Sequence, residues 1–191
     1  MSRNLNLPAY ITDPSGSRRR RRARTKSLSS QKPDASRRAI HVPEEMSLIK
    51  AVRKAKRSNG QLALIILNAG NHTCKTSRSS PLPTLVVDFP ITITGKGEGK
   101  TVIIGQIIIE GNKRLKERIN FERLTITNPD GGCGIWNDGG LPIILESVEV
   151  TNCNTVGIYL GFGARATITD CHIHRNQTGL IANGAGTIAN L

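Results

Sequence analysis

The sequence predicts an all-β fold, a solenoid of the parallel β-helix kind, with a helix over its N-terminal end and a disordered basic tail before that. Three observations predict it. The apolar residues are aliphatic: 37% of the 191 residues are hydrophobic and only 3% aromatic, so runs such as LALIIL, TVIIGQIII and LPIIL must build the core. Those runs are rich in Ile and Val, which favour strands. Next, three segments repeat, starting at Arg123 (RLTITNPDGGCGIWNDGG), Ser147 (SVEVTNCNTVGIYLGFG) and Asp170 (DCHIHRNQTGLIANGAG). Equivalent positions in them are 22 to 24 residues apart, a solenoid period built from strands and turns alone. Last, the charge is uneven. Residues 1–38 hold 11 Lys/Arg against Asp13 and Asp34, while residues 39–191 hold 16 against 12 acids. The net charge of +13 is therefore mainly a property of the tail, not of the folded domain.

The tail, residues 1–38, is rich in Ser, Arg and Pro and poor in apolar residues, so it reads as disordered. Arg18, Arg19, Arg20, Arg21, Arg22, Arg24 and Lys26 are a candidate nuclear-import signal, a candidate binder of nucleic acid or another anionic surface, or a solvated basic stretch. No aromatic interleaves them, so base stacking is not offered there. No apolar leader and no membrane-length segment is read, and the expected location is intracellular, cytoplasmic or nuclear. In that setting Cys74, Cys133, Cys153 and Cys171, none in a CxxC pair, are expected to be reduced thiols in or near the core.

The domain, residues 39–191, opens on PEEMSLIKAVRKAKRSNG, which predicts a helix over residues 44–58. Pro43 and the two glutamates suit its first turn, Lys54, Lys56 and Arg57 its last, and Gly60 its exit. Leu48, Ile49, Val52 and Ala55 form one apolar face, which suits a lid over the open end of a solenoid. TLVVDFPITITGKGEG and KTVIIGQIIIEGN follow as less regular coils. In the three repeats, Leu124 and Ile126, Val148 and Val150, and Cys171 and Ile173 are the inward pairs. Asn128, Asn152 and Asn176 recur at a bend, and Gly134-Ile135, Gly157-Ile158 and Gly179-Leu180 open the next strand.

The order of helix, LALIILNAGNHT, LVVDFPITITGKGEGKTVI and coils resembles the pectin lyase-like superfamily. It is most similar to its right-handed β-helix proteins with carbohydrate-binding and sugar-hydrolase type repeats. FPITITGKGEG matches the turn those proteins carry, whereas NAGNHT lacks the Pro and Tyr of their preceding strand. The resemblance covers roughly residues 40–191. It implies right-handed coiling, but no single activity, because the superfamily spans lyases, hydrolases, esterases, epimerases and non-catalytic scaffolds. The family's catalytic sites lie on an outward sheet face.

In TITDCHIHRNQTGL, strand alternation turns Cys171 and Ile173 inward and leaves Asp170, His172 and His174 outward. Ser147, Glu149 and Thr151 lie beside them on the previous coil, with Arg123, Thr125 and Thr127 one coil earlier, and Glu149 is expected next to His172. This row is the candidate catalytic face, and Asp170, His172 and His174 are the candidate metal ligands; the competing reading is a solvated polar surface. Asp130, in NPDGG, resembles part of a polygalacturonase motif, but the further acids, the G-H-G and the R-I-K of that family are absent. Asp130 and Asp138 also read as turn formers. GKGEGKT runs into a strand, not a helix, so it is no phosphate loop. Trp136 and Tyr159 each follow a Gly-Ile pair; they are candidate ligand-binding aromatics, or partly buried corner residues. The chain stops at GTIANL inside a coil, which suggests missing coils, or a last coil covered by a partner or by a second copy. The leading reading is a non-catalytic binding or scaffold module with a protein or glycan partner, no cofactor and no membrane span. The alternatives are a polysaccharide lyase or glycoside hydrolase, or a fragment of one, and a nucleic-acid tether acting through the tail only.

Overall fold

The computed structural model describes residues 38–43, 47–74, 82–111 and 117–191. Residues 1–37 of the tail, with its import candidates from Arg18 to Lys26, lie outside the described residues, as do Glu44 and Glu45. A short strand that the sequence reading did not assign comes first, β1 (Ala39–Val42), followed by α1 (Leu48–Arg57). The coils then run in order. One holds β2 (Leu64–Leu67), β3 (Gly70–Thr73) and β4 (Thr84–Val87); the next holds β5 (Ile91–Thr94), β6 (Thr101–Ile104) and β7 (Gln106–Ile109). Then come β8 (Ile119–Thr127) with β9 (Ile135–Asp138), and β10 (Ile143–Thr151) with β11 (Val156–Gly161). Last are β12 (Arg165–Thr169), β13 (His172–His174), β14 (Thr178–Ala182) and β15 (Ile188–Asn190).

Every strand pairing is parallel, as stacking coil upon coil requires. The coils have three sides. The first stacks β1, β2, β5, the first halves of β8 and β10, then β12 and β15. The second stacks β3, β6, the second halves of β8 and β10, and β13. The third is a separate sheet, β4-β7-β9-β11-β14.

A single residue turns the chain from the first side to the second. Arg123, Ser147 and Asp170 all take left-handed backbone conformations, with φ of 52°, 52° and 51°. One such residue breaks the pleat and redirects the strand without a loop. These three positions are therefore corners, not the outward strand positions that alternation assigned to them.

The three asparagines expected at one bend are not equivalent. Register sets Glu149 opposite His172 and Thr151 opposite His174, so Asn152 falls opposite Arg175, not Asn176. Asn152 and Arg175 are exposed and share a left-handed φ, 52° and 54°. Asn128 is buried and donates from Nδ2 to the carbonyl of Cys133 at 2.8 Å. Asn176 bridges coils, accepting from the Cys153 amide at 2.8 Å and donating to the Val150 carbonyl at 3.0 Å. Asn128 and Asn176 each satisfy backbone groups, but in different ways, and Asn152 is exposed, so the three do not form one ladder. The repeat step shrinks because this corner shortens. Ile135 lies nine positions after Ile126, Ile158 eight after Val150, and Leu180 seven after Ile173.

Inside, like positions stack into ladders that are aliphatic except at Phe121 and His72. On the first side the ladder is Ile40, Ile65, Ile93, Phe121, Leu145 and Ile168, every member buried. On the second it is His72, Ile103, Ile126, Val150 and Ile173. His72 is 2% exposed and has Nε2 3.0 Å from the Asn68 carbonyl oxygen. On the third side Leu85, Ile107, Ile135, Ile158 and Leu180 stack.

The helix begins later than the sequence suggests. Ser47 precedes it, no acid lies in its first turn, and Pro43 stands outside it. Its C-terminal end matches the expectation, with Lys54, Lys56 and Arg57 in the last turn, where cations face the negative end of the dipole. Leu48, Ala51, Val52 and Ala55 are buried in the common core, against β1 and β2. The helix thus covers apolar surface at the N-terminal end of the stack.

Stacking also places like charges together. Glu146 lies directly above Glu122. Burial first, then the Glu146 charge, raise the Glu122 carboxyl above its ordinary value, and Arg123 offsets part of this. A raised folded-state pKa means folding favours the protonated acid. That contribution is complete below the ordinary carboxyl range and is lost as pH rises through the raised value. Glu122→Gln is therefore expected to raise the melting temperature at pH 7 and to have little effect near pH 4. Equal shifts at both pH values in a thermal melt would disprove the charge argument.

Candidate functional site

Two outer faces carry chemistry. On the second side, the loop between β5 and β6 folds over the sheet. Gly97 and Gly99 have φ of 128° and 67°, a conformation open to glycine, and the Gly99 amide donates to Thr125 Oγ1 at 2.8 Å. This loop roofs Thr125, which is only 4% exposed although it points outward. Thr151, read as an outward surface residue, is likewise 6% exposed.

The same loop brings Glu98 to the histidines. His172 Nδ1 lies 3.0 Å from Glu98 Oε2. Register sets Glu149 beside His172 as expected, yet its carboxylate reaches one position further: Oε1 is 2.9 Å from His174 Nε2. The other oxygen, Oε2, accepts from Thr125 Oγ1 at 2.8 Å. Each histidine thus has its own carboxylate. Asp170 stands at the corner before β13, outside that alternation. Among the described residues no group of three or more His, Cys, Asp or Glu is placed to hold a metal ion. What the row offers is two His–Glu pairs on the outer surface.

Asp130 sits in an exposed turn between β8 and β9. Asp138 ends β9 on the third side, and so belongs to a different wall of the coil. The cysteines are free thiols. Burial pushes Cys74 up to about 12 and Cys153 to about 11, and raises Cys171 as well, so these three are poor nucleophiles near neutral pH.

The third side differs in character. Trp136 and Tyr159 are on strands, not corners, and lie directly opposite each other in register. Their rings stack with centroids 4.1 Å apart and planes 14° apart. The Tyr159 hydroxyl donates to Asn183 Oδ1 at 3.2 Å. Register extends this pair in both directions. Val86 precedes Ile108, Ile108 precedes Trp136, and Ile181 follows Tyr159. Val86, Ile108, Trp136 and Tyr159 alternate with buried positions of their strands, and Ile181 continues the row by register on β14, where Leu180 and Ile181 are both half-buried, so the five form a continuous apolar ladder. Val86 is 44% exposed and the other four are half-buried. Beside it, Glu110 and Asp138 are exposed, and together with Ile108, Trp136 and glycines they line a cavity of about 340 Å³. Neither carboxylate has a partner among the described residues.

Glu98, Val86, Ile108 and Ile181 were not singled out from the sequence. Strand alternation held the signal for the last three. Glu98 gave none, because its loop is joined to His172 only by coiling.

Residues 105–189 match a family described as the right-handed β-helix region. With its stacked parallel coils, the chain has the fold of a right-handed parallel β-helix. Membership of the pectin lyase-like superfamily is consistent with both. No curated protein and no solved structure matches the chain. Among the described residues no helix is long and apolar enough to cross a membrane.

Proposed function

We propose that this protein is a non-catalytic binding module that docks a protein segment along the outer third side. The observation that carries the reading is the ladder Val86, Ile108, Trp136, Tyr159 and Ile181. An outward apolar row of five rungs is about 19 Å long at the spacing of paired strands, the reach of roughly six extended residues. Rows of this kind on a soluble fold mark interaction surfaces. The stacking geometry favours protein over sugar. Trp136 and Tyr159 turn ring faces toward each other, and Ile108 and Ile181 flank them, so the ladder presents ring edges and aliphatic tips. Sugar recognition draws on open ring faces, whereas apolar side chains of a partner fit between rungs. Glu110 and Asp138, alongside, favour a partner that carries Lys or Arg next to its apolar residues.

The test is selection of random displayed peptides on the full-length protein, with a panel of acidic and neutral glycans assayed in parallel. Peptides alternating apolar and basic residues are expected to enrich. Ile108→Glu with Ile181→Glu is expected to weaken them about tenfold or more, while the fold is kept because both side chains point out. Glycan turnover lost on His174→Ala or Glu149→Gln would replace this reading with a polysaccharide-active enzyme on the second side. Enrichment indifferent to the ladder substitutions would remove the proposed surface.

A further inference from the structure

The exposed face of α1 is a second site. Lys50, Arg53, Lys54 and Arg57 follow one another at helical spacing, all exposed, opposite the buried Leu48, Ala51, Val52 and Ala55. These four cations alone line a surface cavity of about 280 Å³. Among the described residues no carboxylate pairs with any of them. Lys56, on the flank, is the helix cation that finds one, Asp88.

Along the sequence the charge is uneven, and α1 carries part of its basic share. Residues 1–57 hold 16 Lys/Arg against 4 acids, and residues 58–191 hold 11 against 10, so +12 of the net +13 lies at or before the end of the helix. The coils are close to neutral.

We infer that the cationic face of α1 binds the phosphate backbone of a nucleic acid, without reading its sequence. From Lys50 to Arg57 the stripe is about 10 Å long, which spans about three successive phosphates of one strand by axial rise. Arg53 and Arg57 offer planar forks suited to phosphate oxygens, and the lysines add point charges. With no aromatic in LIKAVRKAKR, there is nothing to stack on a base. A membrane surface presents phosphates too, but an interfacial helix needs a free apolar face, and here that face is buried in the protein core. The inference is independent of the ladder on the third side.

The experiment measures binding of the full chain to short labelled DNA and RNA of random sequence across a salt series, with anionic phospholipid vesicles and a sulfated glycan as competitors. The first variant carries Lys50→Gln, Arg53→Gln, Lys54→Gln and Arg57→Gln. It is expected to bind about tenfold or more weaker at low salt, with a log–log salt slope shallower by about 3. A second variant, Arg53→Lys with Arg57→Lys, keeps the charge and is expected to keep the slope. A third, with Arg18 to Arg22 replaced by Gly, is expected to weaken binding and still respond to the helix substitutions. Unchanged melting temperatures show that the fold survives. No binding to either nucleic acid, an unchanged slope in the first variant, or preferential capture by vesicles or glycan would each overturn the inference.

Discussion

Phe121→Ala is expected to lower the free energy of unfolding by about 3–5 kcal/mol, among the largest effects of any single substitution in this chain. Phe121 is fully buried, the largest side chain so placed among the described residues, and stands in the first-side ladder between Ile93 and Leu145. Its neighbours above and below are pinned by parallel pairing on both edges of their strands, so the coil cannot close over the gap. Truncation leaves a cavity in the middle of the stack, and the cost of that cavity adds to the lost transfer energy. Denaturant unfolding with two probes measures it. A loss under about 1 kcal/mol would mean that the interior repacks freely, against the ladder description.

Gly105→Ala is expected to cost about 3 kcal/mol or more, through two effects that a control separates. Gly105 is the single residue between β6 and β7, with φ of 127°, where side chains rarely go. A Cβ there would also lie 2.5 Å from the Pro83 carbonyl oxygen and 2.9 Å from the Cys74 Cβ, both in the coil before. Gly60, after the helix, shares a positive φ of 86° but has nothing within 4 Å of such a Cβ. Gly60→Ala is therefore expected to cost only about 1 kcal/mol, from backbone strain alone. Equal losses in the two variants would show that contact between coils contributes nothing at the corner.

Much of the fold was legible in the sequence, and for a simple reason. Stacked coils need the same kind of residue at the same place each time, so Leu124, Val148 and Cys171 announce themselves by spacing. The site was less legible. His172 and His174 stood out by type, but their carboxylates come from different places. Glu149 is one coil away, while Glu98 is 74 residues earlier and arrives on a loop. The corner residues Arg123, Ser147 and Asp170 look like strand, because ordinary side chains there give no sign of a left-handed backbone.

Sequence by itself determined the aliphatic interior, the repeat, the covering helix and the uneven charge, since each depends on residue type and period. Tertiary structure alone decided which carboxylate each histidine meets and how far the outer apolar row extends. The rungs Val86, Ile108, Trp136, Tyr159 and Ile181 are 22, 28, 23 and 22 residues apart. The 28-residue step from Ile108 to Trp136 breaks the period, because corners and loops vary in length while parallel pairing holds the strands in register, and only that register joins the five side chains into one surface.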